Sequence, residues 1–221
     1  MDGYLGIDIG TSGCKAAVYD EYGKQCSFSY REYDLILPQP GWAELDPQEV
    51  INKCFRVIKE SIRTSDDISV KGLAISSQGE AFTVIDKKGK TLTNAFVSSD
   101  MRASEYCGKW AEKFGYDRLY QITGHTPHPM FSLFKLLWIR DNAKDVWEKA
   151  DKFLCFEDLL SLNLGVEPAM GFPMAARTMV FDIRQGKWSS EILNELGLEE
   201  SSLSRALPSG SISGIMPDNI C

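Results

Sequence analysis

The alternation of apolar and polar positions in the first thirty residues predicts three short strands in succession. Tyr4–Ile9 is one apolar run and Lys15–Tyr19 a second; Gln25–Tyr30 is a third, entered through the turn Asp20-Glu21-Tyr22-Gly23. The joint between the first two is Gly10-Thr11-Ser12-Gly13, a tight turn of small and hydroxylic residues. Beyond a loop containing Pro38, Pro40 and Gly41, Asp46-Pro47-Gln48-Glu49 reads as a helix start. Asp46 is the expected N-cap, Pro47 the first helical residue, and Glu49 completes a capping box. Val50, Ile51, Cys54, Phe55, Ile58 and Ile62 then recur at helical spacing, which places one face in the core.

Further along, Val70–Ser76 is apolar enough to predict a buried strand, followed by Phe82–Ile85 and Asn94–Val97. Met101–Phe114 reads as a helix closed by Gly115, and Ser132–Arg140 as another, capped by Ser132. Lys152–Cys155 and Met179–Ile183 are expected strands, and Ser189–Leu196 a helix stopped by Gly197. The order β-β-β-α-β, then mixed elements, implies an α/β fold with helices packed on a mixed sheet. Trp110, Trp138 and Trp147 fall at helical positions among apolar neighbours and read as core or helix-edge aromatics.

Composition narrows the function classes. The chain has 221 residues, 43 % of them hydrophobic and 25 % charged, as in an ordinary globular protein with room for a sizeable core. A net charge of −7 argues against nucleic acid or an anionic membrane surface as partner. A phosphate-bearing ligand is still compatible, because local backbone donors decide that binding. The start of the chain has neither the positive charge nor the apolar run of a signal peptide, and no apolar stretch approaches membrane-spanning length. Cys14, Cys26, Cys54, Cys107, Cys155 and Cys221 are scattered without a Cys-x-x-Cys pair, which fits free thiols and a cytoplasmic location.

The densest chemical signal is Gly6-Ile7-Asp8-Ile9-Gly10-Thr11-Ser12-Gly13-Cys14-Lys15. A carboxylate ending an apolar strand, then glycines and hydroxyls in a hairpin turn, makes a pocket whose N–H and O–H groups can donate to phosphate. Asp8 can hold Mg²⁺ through water, since that ion keeps much of its hydration shell, and Lys15 adds a positive charge on the return strand. The plainer reading, a tight β-turn beside a buried polar residue, is outweighed by Asp-x-Gly-Thr standing between two apolar strands. His125 and His128 suggest a metal pair only weakly: Pro127 prevents a shared helix and no third ligand is near in sequence. They read instead as loop histidines beside a ligand cleft. Lys87-Lys88 reads as a solvated turn.

Gly6–Lys15 resembles the phosphate-binding hairpin of the actin, hexokinase and heat-shock-chaperone ATPase superfamily. Within it, the likeness extends over nearly the whole chain to the FGGY carbohydrate kinases. Pro40–Pro47 resembles that family's Gly-Trp-x-Glu-x-Asp-Pro element, and Gly72–Phe82 (GLAISSQGEAF) the strand and loop of its first sugar contacts. Asn94–Arg102 resembles its second sugar loop, Pro129–Trp138 (PMFSLFKLLW) its Pro-x-Phe-x-x-x-Lys-Leu-x-Trp helix, and Phe181–Trp188 (FDIRQGKW) its Phe-Asp-x-Arg stretch.

The resemblance implies an actin-like ATPase (ribonuclease H-like) domain over residues 1–221, with a C-terminal ATP-binding domain lying outside this chain. It implies ATP and Mg²⁺ as cofactors and a ketose or polyol as acceptor. Asp8, Thr11 and Lys15 would serve phosphoryl transfer, with Asp8 toward the metal; Gly10, Thr11, Ser12 and Gly13 would cradle the phosphates. Gln78, Glu80, Ser98, Asp100, Arg102 and Met130 would line the sugar site. Gly79 replaces the arginine of the glycerol-kinase loop, Ser98 a common tryptophan, and Met130 a tyrosine, so the acceptor is not named by these positions. Glu80 is the foremost candidate, against the alternative of a solvated loop acid. The catalytic aspartate of the family is expected in a glycine-rich segment beyond this chain; Asp218-Asn219 mimics it imperfectly. The chain is therefore expected to be half of a kinase, binding sugar weakly and catalysing nothing alone, and a homodimer of the parent is left open. The alternatives are a non-catalytic actin-like assembly or sensing module, and an acetate- or hexokinase-like enzyme. Polar residues on both sugar loops weigh against the first, and the Gly41–Pro47 and Phe181–Trp188 segments against the second.

Overall fold

Residues 1–65 and 67–217 are described by the computed structural model. Along the chain the elements are β1 (Asp2–Ile9), β2 (Gly13–Asp20), β3 (Gln25–Glu32), β4 (Glu44–Leu45), α1 (Pro47–Arg63), β5 (Ser69–Ser77), β6 (Phe82–Ile85) and β7 (Ala95–Phe96). There follow α2 (Ser104–Phe114), α3 (Tyr116–Thr123), α4 (Ser132–Asn142), α5 (Lys144–Lys149), β8 (Lys152–Cys155), α6 (Phe156–Asn163) and β9 (Ala169–Gly171). The last are α7 (Phe172–Arg177), β10 (Phe181–Asp182), β11 (Lys187–Trp188), α8 (Ser190–Leu196) and β12 (Arg205–Leu207). The chain divides into two units, Met1–Ile36 with Leu45–Gln78, and Leu37–Glu44 with Gly79–Cys221.

The first unit is a four-stranded mixed sheet in the order β3-β2-β1-β5, antiparallel through the meander and parallel between β1 and β5. Its core forms where α1 lays Val50, Ile51, Cys54, Val57 and Ile58 against Leu5, Ile7, Ile9 and Val18 of the sheet. Asp46 caps α1 by accepting from the Gln48 and Glu49 N–H groups, and Pro47 opens it. The expected capping box does not close, because the Glu49 carboxylate turns outward to Lys53 one turn on, at 2.6 Å. β5 is not the buried strand its composition predicted. It stands at the edge of the sheet, and its residues are exposed or half-buried along its whole length.

The second unit holds a sheet in the order β4-β7-β6-β8 and the larger core, in which Phe82, Phe96, Phe134, Leu137, Phe153 and Phe181 are buried together. α4 is buried nearly all round, from Ser132 to Leu137 and at Ile139. Ser132 does not cap it: Phe131 is the N-cap residue, and the Ser132 hydroxyl donates to the Glu80 carbonyl at 3.0 Å. The predicted strand Met179–Ile183 shrinks to Phe181–Asp182, since Met179 takes a left-handed φ of 59° that ends any extended run. The helices α3, α5, α6 and α7 were not predicted; they are short and carry mixed patterns that only packing stabilises. No helix among the described residues is long and apolar enough to cross a membrane.

Candidate functional site

In the first unit the β1–β2 register sets Asp8 opposite Lys15 and Ile9 opposite Cys14. Lys15 Nζ lies 3.0 Å from Asp8 Oδ2, and both side chains remain open to solvent. The Asp8 carboxylate, through a hydrogen bond and its charge, holds the Lys15 ammonium above its ordinary pKa. The turn is closed by Gly10 N–H donating to Gly13 O at 2.9 Å, which leaves Thr11 and Ser12 exposed at the tip. Gly13 is required by close approach: a Cβ there would meet Tyr30 Oη at 2.6 Å and Arg31 O at 2.7 Å.

The Gly10 carbonyl accepts twice, from the Tyr33 hydroxyl at 2.6 Å and from Gln78 Nε2 at 3.1 Å. Burial pushes the Tyr33 phenol well above its usual pKa, so it stays a donor. Gln78 N–H also donates to Ile9 O at 2.8 Å, which ties the end of β5 to the end of β1. Gln78 Oε1 is buried without a hydrogen-bond partner among the described residues. Thus Asp8, Gly10, Thr11, Ser12, Gly13, Lys15 and Gln78 share one end of one sheet.

In the second unit the centre is an arginine. Arg102 donates through Nε and Nη2 to both Asp100 oxygens, at 2.9 and 2.7 Å, and through Nη2 to Glu44 Oε1 at 2.5 Å. Its guanidinium carbon lies 3.7 Å from the Trp42 ring centroid and 4.4 Å from that of Phe96. Asp100 also accepts from Ala43 N–H at 2.8 Å, and Glu44 from Asn94 at 2.8 Å. Asp100 and Arg102 are therefore paired inside the protein, with side chains 0 and 3 % exposed. The Gly-Trp-x-Glu segment, read from sequence only as a motif, supplies the ring and the second carboxylate of this clamp.

Ser98 and Met130 are half-buried on two loops that one buried cation joins. Lys135, wholly inaccessible on α4, donates 2.7 Å hydrogen bonds to Val97 O and Met130 O. Burial lowers its pKa to about 7, against the opposing pull of Asp100. A lysine inside the apolar run Leu133–Trp138 was the signal in the sequence that could have found it.

Glu80 is not a solvated loop acid. Its side chain is buried, its φ is 61°, and it forms an ion pair with Arg177 at the end of α7. Arg177, which sequence reasoning missed, also lies with its guanidinium 5.2 Å from the Phe131 ring. His125 packs on Phe131 at 4.8 Å, and His128 Nδ1 accepts from Met130 N–H. Elsewhere in this unit Glu157 accepts from Gly171 N–H at 3.1 Å, and burial raises its pKa to about 7. Its neighbour Asp158 is fully buried, accepts from the Ser204 hydroxyl, and is pushed well above the carboxylate range by desolvation. Asp218 and Asn219 lie outside the described residues.

Residues 3–220 match the N-terminal domain of the FGGY family of carbohydrate kinases. A glycerol kinase of Symbiobacterium thermophilum is 35 % identical over 219 residues, covering 95 % of this chain and 44 % of that protein. A xylulose kinase of Lactococcus lactis is 30 % identical over 223 residues, covering 98 % of this chain and 43 % of that protein. Among solved structures, a gluconate kinase from Lactobacillus acidophilus superposes with a TM-score of 0.93 at 23 % identity, over 99 % of this chain and 44 % of the other. The chain thus spans less than half the length of these relatives.

Proposed function

This chain belongs to the FGGY family of carbohydrate kinases as an N-terminal domain, and we propose that it forms the acceptor-binding and phosphate-facing part of an ATP-dependent kinase of polyols or ketoses. The observation that carries this reading is the β1–β2 turn. A strand-end carboxylate, an exposed pair of hydroxyls and a glycine required by packing stand together, beside a Lys15–Asp8 pair still open to solvent.

Thr11, Ser12 and the turn's free N–H groups are assigned to the phosphates of ATP, with Gly10 and Gly13 giving the turn its shape. A single half-exposed carboxylate suits a metal that keeps most of its water, so Asp8 would hold Mg²⁺. When bound, that ion neutralises charge on the transferring phosphoryl group. Lys15, paired with Asp8 in the free domain, supplies positive charge to the same region.

In the second unit the acceptor is assigned to Glu80, Ser98 and Met130, with Asp100 and Arg102 buried behind them rather than touching it. The unpartnered Gln78 Oε1 suits a hydroxyl donor. Asp100 and Arg102 act as the clamp that shapes the loop carrying Ser98, and Lys135 sets the spacing of that loop from Met130. Holding the hydroxyl in place is the main service such a site gives, because phosphoryl transfer asks little covalent chemistry of the protein. No general base is assigned to the described residues.

The test is ADP release by the kinase that contains this domain, with Mg-ATP and glycerol, xylulose or gluconate offered in turn. One acceptor should stimulate ADP formation, and Asp8→Asn should abolish it. ADP release that is indifferent to every polyol and sugar offered would refute the kinase reading.

A further inference from the structure

The loop Ser77–Ala81 carries an acid and no cation of its own. Its acid, Glu80, has a side chain only 2 % exposed, whereas the paired Arg177 keeps 39 % of its side chain in solvent. The donors within reach of a ligand at this pair therefore belong to the arginine. We infer that Arg177 contacts the hydroxyls of the acceptor, and that Glu80 is the positioning residue that aims it. The inference rests on the kinase reading above and reassigns roles within its acceptor site.

The surroundings are built to hold the guanidinium in one place. Gly79 gives it room: a Cβ at that residue would stand 3.3 Å from Arg177 Nε and 3.8 Å from its Cγ, so a side chain there would crowd the arginine. Phe131 lies 5.2 Å from the guanidinium carbon and supplies a ring for it to rest on. Glu80 forms an ion pair with one Nη group, and its own left-handed backbone is held by the Ser132 hydroxyl on its carbonyl. The end of α7 is anchored as well, since the Thr178 carbonyl accepts from Leu133 N–H at 2.9 Å.

A guanidinium held on one edge by a carboxylate still has N–H groups on its open edge, in a fixed plane. Adjacent hydroxyl oxygens of a polyol match that edge as acceptors. The buried counter-charge keeps the pair neutral, so the recognised class is an uncharged vicinal diol. This also accounts for a buried, strained acid on a ligand loop, which direct solvent-side binding by Glu80 would not need.

The experiment measures KM for the acceptor and KM for ATP separately, in the kinase containing this domain. Arg177→Ala should raise the acceptor KM roughly 10- to 100-fold while leaving the ATP KM unchanged. Arg177→Lys should recover part of the loss, restoring charge without the fork. Glu80→Gln keeps an oxygen for Arg177 to donate to, and should raise the acceptor KM less than Arg177→Ala does. Adding Gly79→Arg to Arg177→Ala returns a guanidinium from the loop side and should lower the acceptor KM again. An unchanged acceptor KM in a folded Arg177 variant would overturn the inference. So would a larger effect from Glu80→Gln than from Arg177→Ala or, should the alanine variant not fold, than from Arg177→Lys. A wild-type enzyme without acceptor-dependent ADP release would instead bring down the kinase reading, and the inference with it.

Discussion

The Lys15–Asp8 pair at the end of β1 and the Arg102–Asp100 pair after β7 set the same two charges at 3.0 and 2.7 Å, in opposite surroundings. The first pair is 52 and 39 % exposed; the second is 3 and 0 % exposed and faces aromatic rings. Water competes for the exposed pair, so opening it costs little and a phosphate or metal ion can exchange into it. Opening the buried pair would strand a charge in a poorly polar interior. One pair is suited to chemistry and the other to architecture, although their residue types alone do not tell them apart.

The sharpest way to break this comparison is Arg102→Met, which keeps apolar contact with Trp42 but leaves Asp100 and Glu44 without their cation. It should destabilise the protein by about 3–5 kcal/mol at neutral pH in a denaturant titration. A loss below about 1 kcal/mol would mean that the clamp is as solvated as the hairpin pair.

Glu157 sharpens it from another side, as a half-buried carboxylate with no salt bridge among the described residues. Its pKa is raised from 4.5 to about 7, so between those values the folded state binds more protons than the unfolded one. Its contribution to stability is present below pH 4.5 and is lost as pH rises through 7. Glu157→Gln retains an acceptor for Gly171 N–H without the charge. It should raise stability at pH 8 by up to about 3 kcal/mol, with the difference from wild type vanishing near pH 4. A difference independent of pH would show that Glu157 is already solvated.

The smallest stability effect is expected at the hairpin. Lys15→Ala should leave the melting temperature unchanged within measurement, while under the proposed function acceptor-dependent ADP release should fall. A melting point that drops as far as that of the Arg102 variant would erase the distinction between the two pairs.

Much of the first unit was legible in the sequence because its signals are local. Strands of alternating residues, a glycine-hydroxyl turn and an Asp-Pro helix start each act within a few positions, and β1, β2, β3 and α1 came out close to expectation. β5 misled because an apolar run reports what a strand can bury, not what is available to cover it. In the second unit the candidate residues were named, but their states were not. Asp100 and Arg102, expected to face a ligand, are buried against Glu44, Ala43 and Trp42, more than fifty residues away. Arg177 stayed invisible because its partner, Glu80, is distant in sequence and no local pattern marks it.

By itself, then, the sequence determined the hairpin. The chemical groups it offers, from the Asp8 carboxylate to the Lys15 ammonium, lie within eight positions, although Tyr30 and Arg31 of the next strand are what require glycine at position 13. It also determined the family, through short segments spread along a chain that is 30–35 % identical to two of its curated relatives. Only the tertiary structure decided which charges are free and which are spent. Burial and pairing arise from segments brought together across the chain, and desolvation makes a carboxylate at position 8 and one at position 100 different chemical groups.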